Sequence, residues 1–251
     1  MPERLANGLR FHAVELGQGA PVIAIHGLLV GNIASWYFTL APVLRQRHRL
    51  LLYDLRGHGR SERPTQGYDL NTMTQDLHAL ADSFCSEPVT LIGHSYGALI
   101  ALRFALKYPE RVQRLVLIEA PLPPADFGEI TGFLKQDPTD MMQALPPSLR
   151  DAFEGGGRRS RNWLRTLAFL SQETNLLATL GEEPDIDDDI LSTIRCPTLC
   201  VFGSQSSCRP VGERLASLIP GARLVVLPGG HFLPTEQPAE LGAAVEGFLN
   251  G

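Results

Sequence analysis

The chain of 251 residues has the length of a single large α/β domain. Hydrophobic residues make up 44% of it and charged residues 20%, a balance that allows a sizeable core and excludes a disordered chain. The formal net charge of -5 offers no basic surface for nucleic acid, and no apolar run approaches the roughly 20 residues that span a bilayer.

The four cysteines, at positions 85, 196, 200 and 208, contain no Cys-x-x-Cys pair. So few cysteines in so long a chain predict reduced thiols rather than a disulfide framework or a zinc site. The first residues, MPERLANGLRFHAVELG, lack the cationic start and apolar stretch of a secretory signal. We therefore expect a cytoplasmic protein that does not act on membranes.

Short apolar runs alternate with longer helical patterns along the chain. The runs predict strands at 11–16, 22–26, 49–53, 89–93, 115–119, 198–203 and 223–227. The longer patterns predict helices at 36–46, 70–83, 96–108, 210–218 and 238–249, with Asn71 or Thr72 as the cap of the second. Near-continuous apolar strands between helices predict an α/β fold whose mostly parallel sheet is covered on both faces.

The alternation stops between residues 121 and 194. This stretch contains broken helical patterns and prolines at 121, 123, 124, 138, 146, 147 and 184. We interpret residues 121–194 as a small helical cap inserted into a core formed by 1–120 and 195–251. In an open parallel sheet, ligands bind beyond the carboxyl ends of the strands, which is also where this insertion leaves the sheet.

The sequence GHSYG, residues 93–97, joins a predicted strand to a predicted helix. A turn this sharp strains the serine backbone, and Gly93 and Gly97 remove the Cβ atoms that would clash across it. The turn would hold Ser95 Oγ above the sheet, at the N-terminus of the helix. We interpret Ser95 as a nucleophile, the alternative being a serine that only caps the helix.

Four stretches together resemble the α/β-hydrolase superfamily. GHSYG is similar to its nucleophile elbow, and IAIHGLL (23–29) to its strand followed by a His-Gly turn. LLYDLRGHGRSERP (51–64) resembles the next strand and Gly-rich loop, and LPGGHFLPTEQPAEL (227–241) the last strand, histidine and helix. The resemblance covers nearly the whole chain outside the cap. It implies the α/β-hydrolase fold and a Ser, acid, His order, but no single substrate.

The resemblance also implies roles for individual residues. A serine hydroxyl needs a base, and His231, in the loop after the last predicted strand, is the candidate. The backbone N–H groups of Tyr96 and Leu28 would form the oxyanion hole.

The acid of the triad is not where the pattern places it. In many members it follows the strand that corresponds to TLCVFG, and here that position is Ser206. Some relatives take the acid from the end of the strand after the nucleophile helix, which here ends in Glu119. We favour Glu119 as the acid; the alternative is that no acid is present and that Ser206 or a water orients His231.

Two classes of function follow. The first is a serine hydrolase that cleaves a carboxylic ester, thioester or lactone and needs no metal or cofactor; carbon–carbon hydrolases, perhydrolases and acyltransferases share its skeleton. The second is a degenerate hydrolase that only binds a ligand or partner, an alternative motivated by Ser206.

The cap gives the only indication of the substrate. Its aromatic residues predict a moderately apolar pocket for a medium-sized acyl group or ring, or else pack on the core: Phe127, Phe133, Trp163 and Phe169. The RRSR segment at 158–161 is a weaker indication of an acidic acyl carrier. The sequence does not indicate the oligomeric state.

Overall fold

Eight strands form one sheet in the order β1-β2-β4-β3-β5-β6-β7-β8. The computed structural model describes residues 3–28, 30–123, 127–145, 147–153 and 157–251. The strands are β1 Glu3–Ala6, β2 Leu9–Leu16, β3 Ala20–Ile25, β4 His48–Tyr53, β5 Val89–His94, β6 Val112–Ile118, β7 Thr198–Gly203 and β8 Arg223–Leu227.

The six strands from β4 to β8 in this order run parallel, and β1 and β2 add antiparallel pairs at one edge. Successive side chains point to opposite faces, so that Ile23 and Ile25 join one apolar cluster while Val22 and Ala24 join another. Burial of each such aliphatic side chain contributes about 1.5–3 kcal/mol to the stability of the fold. The predicted mostly parallel α/β sheet is confirmed.

Helices cover both faces of the sheet. The helices of the core are α1 Ala34–Tyr37, α2 Ala41–Leu44, α3 Leu70–Phe84, α4 Tyr96–Lys107, α11 Arg209–Leu218, α12 Leu233–Glu236 and α13 Pro238–Asn250. The first face is covered by α3, α4 and α11, and the second by α1, α2, α12 and α13. The cap of α3 is neither Asn71 nor Thr72, because Asp69 accepts the Thr72 N–H at 2.8 Å.

Two predicted elements near the N-terminus differ from the structure. The single helix predicted at 36–46 is wrong: α1 and α2 are separate, because Pro42 has no N–H to bond to the carbonyl of Phe38. The prediction also missed β1, which pairs with β2 through a tight turn at Asn7 and Gly8, both at positive φ.

Six helices separate β6 from β7 along the described part of the chain. They are α5 Phe127–Leu134, α6 Pro138–Ala144, α7 Pro147–Phe153, α8 Arg158–Gln172, α9 Leu176–Glu182 and α10 Asp188–Leu191. The division into a core and a cap at 121–194 stays an interpretation. Throughout the described ranges, no helix combines the length and apolar character needed to cross a membrane.

Candidate active site

Ser95 lies in a strained turn between β5 and α4. Its φ of 55° and ψ of -127° are outside the regions that a serine prefers, and its N–H donates to the Ile118 carbonyl at 2.9 Å. Both flanking glycines are required by packing. A Cβ on Gly93 would lie 2.5 Å from the Ala98 nitrogen, and one on Gly97 would lie 2.5 Å from the His26 carbonyl oxygen. The turn therefore fixes Ser95 at the carboxyl end of the sheet.

His231 faces Ser95 from the loop between β8 and α12. Its Nε2 lies 2.8 Å from Ser95 Oγ, a normal hydrogen-bond distance. The two residues are 136 positions apart in the sequence. They meet because β5 and β8 end at the same edge of the sheet.

Glu119 brings a carboxylate to the other side of the His231 ring. It follows β6 directly, has a φ of 53° and is fully buried. Its Oε2 lies 3.3 Å from His231 Nδ1. When the Nδ1 proton faces this carboxylate, the lone pair of Nε2 faces the Ser95 hydroxyl, which is the tautomer that a general base needs.

Two donors from the end of β7 hold the Glu119 carboxylate. The Gly203 N–H donates to Oε1 and the Ser206 hydroxyl donates to Oε2. Ser206 stands at the position where the common pattern has the acid, and here its hydroxyl binds a carboxylate supplied by the neighbouring strand.

The His26-Gly27 turn packs against the elbow. A Cβ on Gly27 would lie 3.1 Å from Ser95 Cβ, so the backbone before Leu28 approaches the serine closely. His26 fixes this turn, since its Nδ1 bonds to the Gly27 carbonyl at 2.8 Å and its Nε2 accepts the Leu55 N–H at 2.9 Å. Burial lowers the pKa of His26 to about 4, which keeps the imidazole neutral in these contacts.

The Tyr96 side chain turns away from the serine. Its ring packs against Phe127 with centroids 5.9 Å apart, and its hydroxyl lies 3.4 Å from the Tyr68 carbonyl oxygen. Tyr96 is the first residue of α4, where backbone N–H groups have no partner within the helix. The side chain of Tyr96 therefore belongs to the core, whereas its N–H belongs to the helix start beside Ser95.

His94 is a neighbour of the serine that the sequence does not single out. Its Nε2 lies 2.8 Å from the carbonyl oxygen of His231, and the two rings are 5.3 Å apart. Burial, and then the proximity of His231, lower the pKa of His94 to about 3, so the neutral ring donates from Nε2 to that carbonyl. This contact ties the His231 loop to the elbow.

A cavity of about 790 Å³ opens above Ser95 and His231. One wall consists of Leu28 and the α1 region as far as Phe38 and Thr39. A second, apolar part of the wall comes from the helices between β6 and β7: Ile130, Phe133, Leu145 and Leu149.

Of the four aromatic residues predicted to line a pocket, only Phe133 is at the wall of this cavity in the described part of the chain. Phe127 packs on Tyr96, and Trp163 is buried in the main apolar cluster. The Arg63 guanidinium lies over the ring of Phe169, 5.5 Å from its centroid. These three residues pack on the core, which is the alternative that the sequence left open for them.

Known proteins resemble this chain in sequence and structure. The family model described as alpha/beta hydrolase fold matches residues 20–153. The soluble epoxide hydrolase of Corynebacterium sp. (strain C12) is 29% identical over 98% of this chain and 87% of its own length. A hydrolase structure from Pseudomonas aeruginosa PA01 has a TM-score of 0.83 at 25% identity, covering 100% of this chain and 98% of its own. Est816, described as an N-acyl homoserine lactone degrading enzyme, has a TM-score of 0.74 at 25% identity, covering 98% and 100%.

Proposed function

Because this chain belongs to the α/β-hydrolase fold family and is a hydrolase, we propose that it cleaves a carboxylic ester, thioester or lactone through an acyl-serine intermediate. The observation that carries this proposal is the distance of 2.8 Å between Ser95 Oγ and His231 Nε2. At this distance the imidazole can remove the hydroxyl proton while the oxygen attacks a carbonyl carbon.

In the first half of the reaction, the Ser95 proton passes to His231 Nε2 as Oγ bonds to the acyl carbon. The imidazolium keeps its Nδ1 proton and donates a hydrogen bond from it to Glu119, whose carboxylate stabilises the new positive charge. The imidazolium then protonates the leaving group from Nε2. In the second half a water takes the place of the serine hydroxyl, and the same proton transfers release the acid.

The oxyanion would accept hydrogen bonds from the backbone N–H groups of Leu28 and Tyr96. The close packing of the Gly27 backbone on Ser95 supports the first assignment, and the place of Tyr96 at the start of α4 supports the second. One donor of this kind contributes about 3–4 kcal/mol to stabilisation of the transition state.

Glu119 is our assignment for the acid. Its burial and the two donors from the end of β7 fix the carboxylate beside His231 Nδ1. A fixed carboxylate holds the imidazole in one tautomer without a change of structure during the reaction.

The substrate would be a small molecule with a medium-sized apolar acyl group or ring. The size of the cavity and its wall of Ile130, Phe133, Leu145 and Leu149 support this class. Lactones belong in the panel of test substrates because Est816 is described as degrading them. The helices at 121–194 would act as the cap over this substrate, and an acyl carrier at RRSR stays a weaker hypothesis.

We expect the purified protein to hydrolyse members of a panel of p-nitrophenyl esters, thioesters and lactones, and Ser95→Ala to lose this activity by several orders of magnitude. A fluorophosphonate probe should label the wild type and leave Ser95→Ala unlabelled. Ser35→Ala, which removes another hydroxyl at the cavity wall, is the matched control and should still be labelled. Equal labelling of wild type and Ser95→Ala would remove Ser95 as the nucleophile, and no label on either would instead support a protein that only binds its ligand.

A further inference from the structure

One thiol beside the proposed triad has no part in the proposed reaction. Cys208 precedes α11, and its Sγ lies 3.7 Å from His231 Nδ1. This is the ring nitrogen that also lies 3.3 Å from Glu119 Oε2. Ligand atoms of the three side chains all lie within 4.8 Å of one another, and this trio is the one such set that could hold a metal ion among the residues the structure describes.

Two of the three separations between these atoms suit a tetrahedral ion, and the third, between Cys208 Sγ and the Glu119 carboxylate, is within 4.8 Å. With Zn–S of about 2.3 Å, Zn–N of about 2.0 Å and Zn–O of about 2.0 Å, tetrahedral angles place sulfur about 3.5 Å from nitrogen and nitrogen about 3.3 Å from oxygen. The observed separations are 3.7 Å and 3.3 Å. Thiolate, imidazole and carboxylate are the three ligand types that zinc uses in proteins.

The trio is reached from the substrate cavity. Cys208 and His231 both line it, so an ion can enter there and keep a water as its fourth ligand. The Glu119 carboxylate stays anchored while an ion binds. The Gly203 N–H still donates to Oε1, and Oε2 can accept from the Ser206 hydroxyl with one lone pair and bind the ion with the other.

We propose that Cys208, His231 and Glu119 form an inhibitory site for a thiophilic divalent cation such as Zn²⁺ or Cd²⁺. Binding releases the thiol proton to solvent and places the ion on His231 Nδ1, while the ring proton that Nδ1 held is carried on Nε2 instead. One proton is thus released per ion bound. His231 then donates towards Ser95 Oγ and has no lone pair to accept the serine proton.

Binding itself does not depend on the proposed function, whereas the inhibition rests on it. Binding is therefore measured directly, by titrating the folded protein with Cd²⁺ and following the ultraviolet charge-transfer band between thiolate and cadmium. We expect one Cd²⁺ per chain. In Cys208→Ser and Cys208→Ala the band should disappear and the apparent Kd should rise by about tenfold or more.

Two controls separate this site from the other thiols and from catalysis. Cys85→Ser removes a partly exposed thiol elsewhere and should bind Cd²⁺ as the wild type does. Ser95→Ala should also bind it, because no ligand is lost. Equal Cd²⁺ binding by the wild type and both Cys208 variants would overturn the site.

The inhibition is tested on whichever substrate of the panel is hydrolysed, with each variant compared with its own rate in the absence of metal. Zn²⁺ should abolish turnover of the wild type, a chelator should restore it, and the Cys208 variants should need at least about tenfold more Zn²⁺. Turnover that persists in wild type saturated with Zn²⁺ would overturn the inhibitory role. Cysteine-dependent Cd²⁺ binding by a protein that hydrolyses nothing would instead contradict the proposed function and leave the site standing.

Discussion

Backbone strain is concentrated at the candidate site. Three non-glycine residues have positive φ in the part of the chain that the structure describes, and two of them are Ser95 and Glu119. The third, Asn7, forms a hairpin turn. Such conformations cost about 1–3 kcal/mol each and persist where the surroundings over-determine them. At both residues the strain aims a side chain towards His231.

The carboxylate of Glu119 can be tested by substitution. We expect Glu119→Gln and Glu119→Ala to lower kcat by about 10⁴ while the circular dichroism spectrum is unchanged, since the imidazolium would lose its counter-charge and its fixed tautomer. Hydrolysis of the best panel substrate measures this effect. Near-normal turnover in both variants would remove Glu119 from the mechanism.

Moving the acid from position 119 to position 206 offers a rescue experiment. Ser206 touches the Glu119 carboxylate and occupies the place of the acid in the common pattern. Adding Ser206→Asp to Glu119→Ala should therefore restore part of the lost activity. Ser206→Asn in the same background is the uncharged control and should restore less.

Some residues of the candidate site could be predicted from the sequence better than others, and the difference is between local and long-range contacts. GHSYG can be interpreted locally because the turn, the glycines and the serine are adjacent in the chain. The contact between Glu119 and Ser206 spans 87 positions and depends on the parallel pairing of β6 with β7, where Ile118 is opposite Val201. A single sequence shows neither that register nor the approach of Cys208 to His231.

At the scale of elements, the junction of β5 and α4 is pressed against the end of β3. The backbone of Gly97 meets the carbonyl groups of Ile25 and His26, so the first turn of α4 and the last residues of β3 leave no room for a side chain. Gly97 is therefore needed for the close packing of β3 against α4 as well as for the turn at Ser95.

This packing predicts opposite effects for two glycine substitutions. Gly97→Ala should lower the free energy of unfolding by about 1–3 kcal/mol, because its Cβ would force β3 and α4 apart. Gly247→Ala, within α13, should raise it by about 0.5–1 kcal/mol, because nothing lies within 4 Å of the new methyl group and alanine favours the helix. Urea denaturation measures both. Equal effects would contradict the packing argument.

The elements themselves were predictable to different degrees. Strands buried on both faces carry a strong apolar signal, and seven of the eight were found in the sequence. For the aromatic residues between β6 and β7, the sequence left open whether they line a pocket or pack on the core, because an apolar helix face can meet either; Trp163 and Phe169 pack on the core. Whether an apolar helix face in this segment meets the cavity or the core depends on tertiary contacts.

At the scale of the whole molecule, buried neutral histidines make stability depend on pH. Burial lowers the pKa of His26 to about 4 and that of His94 to about 3, from an ordinary value of 6.5. The unfolded chain binds protons as the pH falls below 6.5, whereas the folded protein does not bind them until lower pH. The free energy of unfolding therefore has its full contribution from these neutral histidines above about pH 6.5, and this contribution is lost as the pH falls towards 4.

We expect the free energy of unfolding to be lower at about pH 5 than at about pH 8, with each of these histidines contributing on the order of 2 kcal/mol. Urea denaturation at the two pH values measures the difference. His94→Gln should reduce the difference, since glutamine can still donate to the His231 carbonyl but does not titrate. The same difference in wild type and His94→Gln would contradict the assignment.

The two walls of the cavity come from stretches of chain almost 100 positions apart, one near Phe38 and one around Phe133 and Leu149. Neither stretch contains a residue of the triad that we propose. In directed evolution the two walls can therefore be diversified in separate libraries and the best members recombined. Such libraries would change substrate selectivity while the proposed triad stays unchanged.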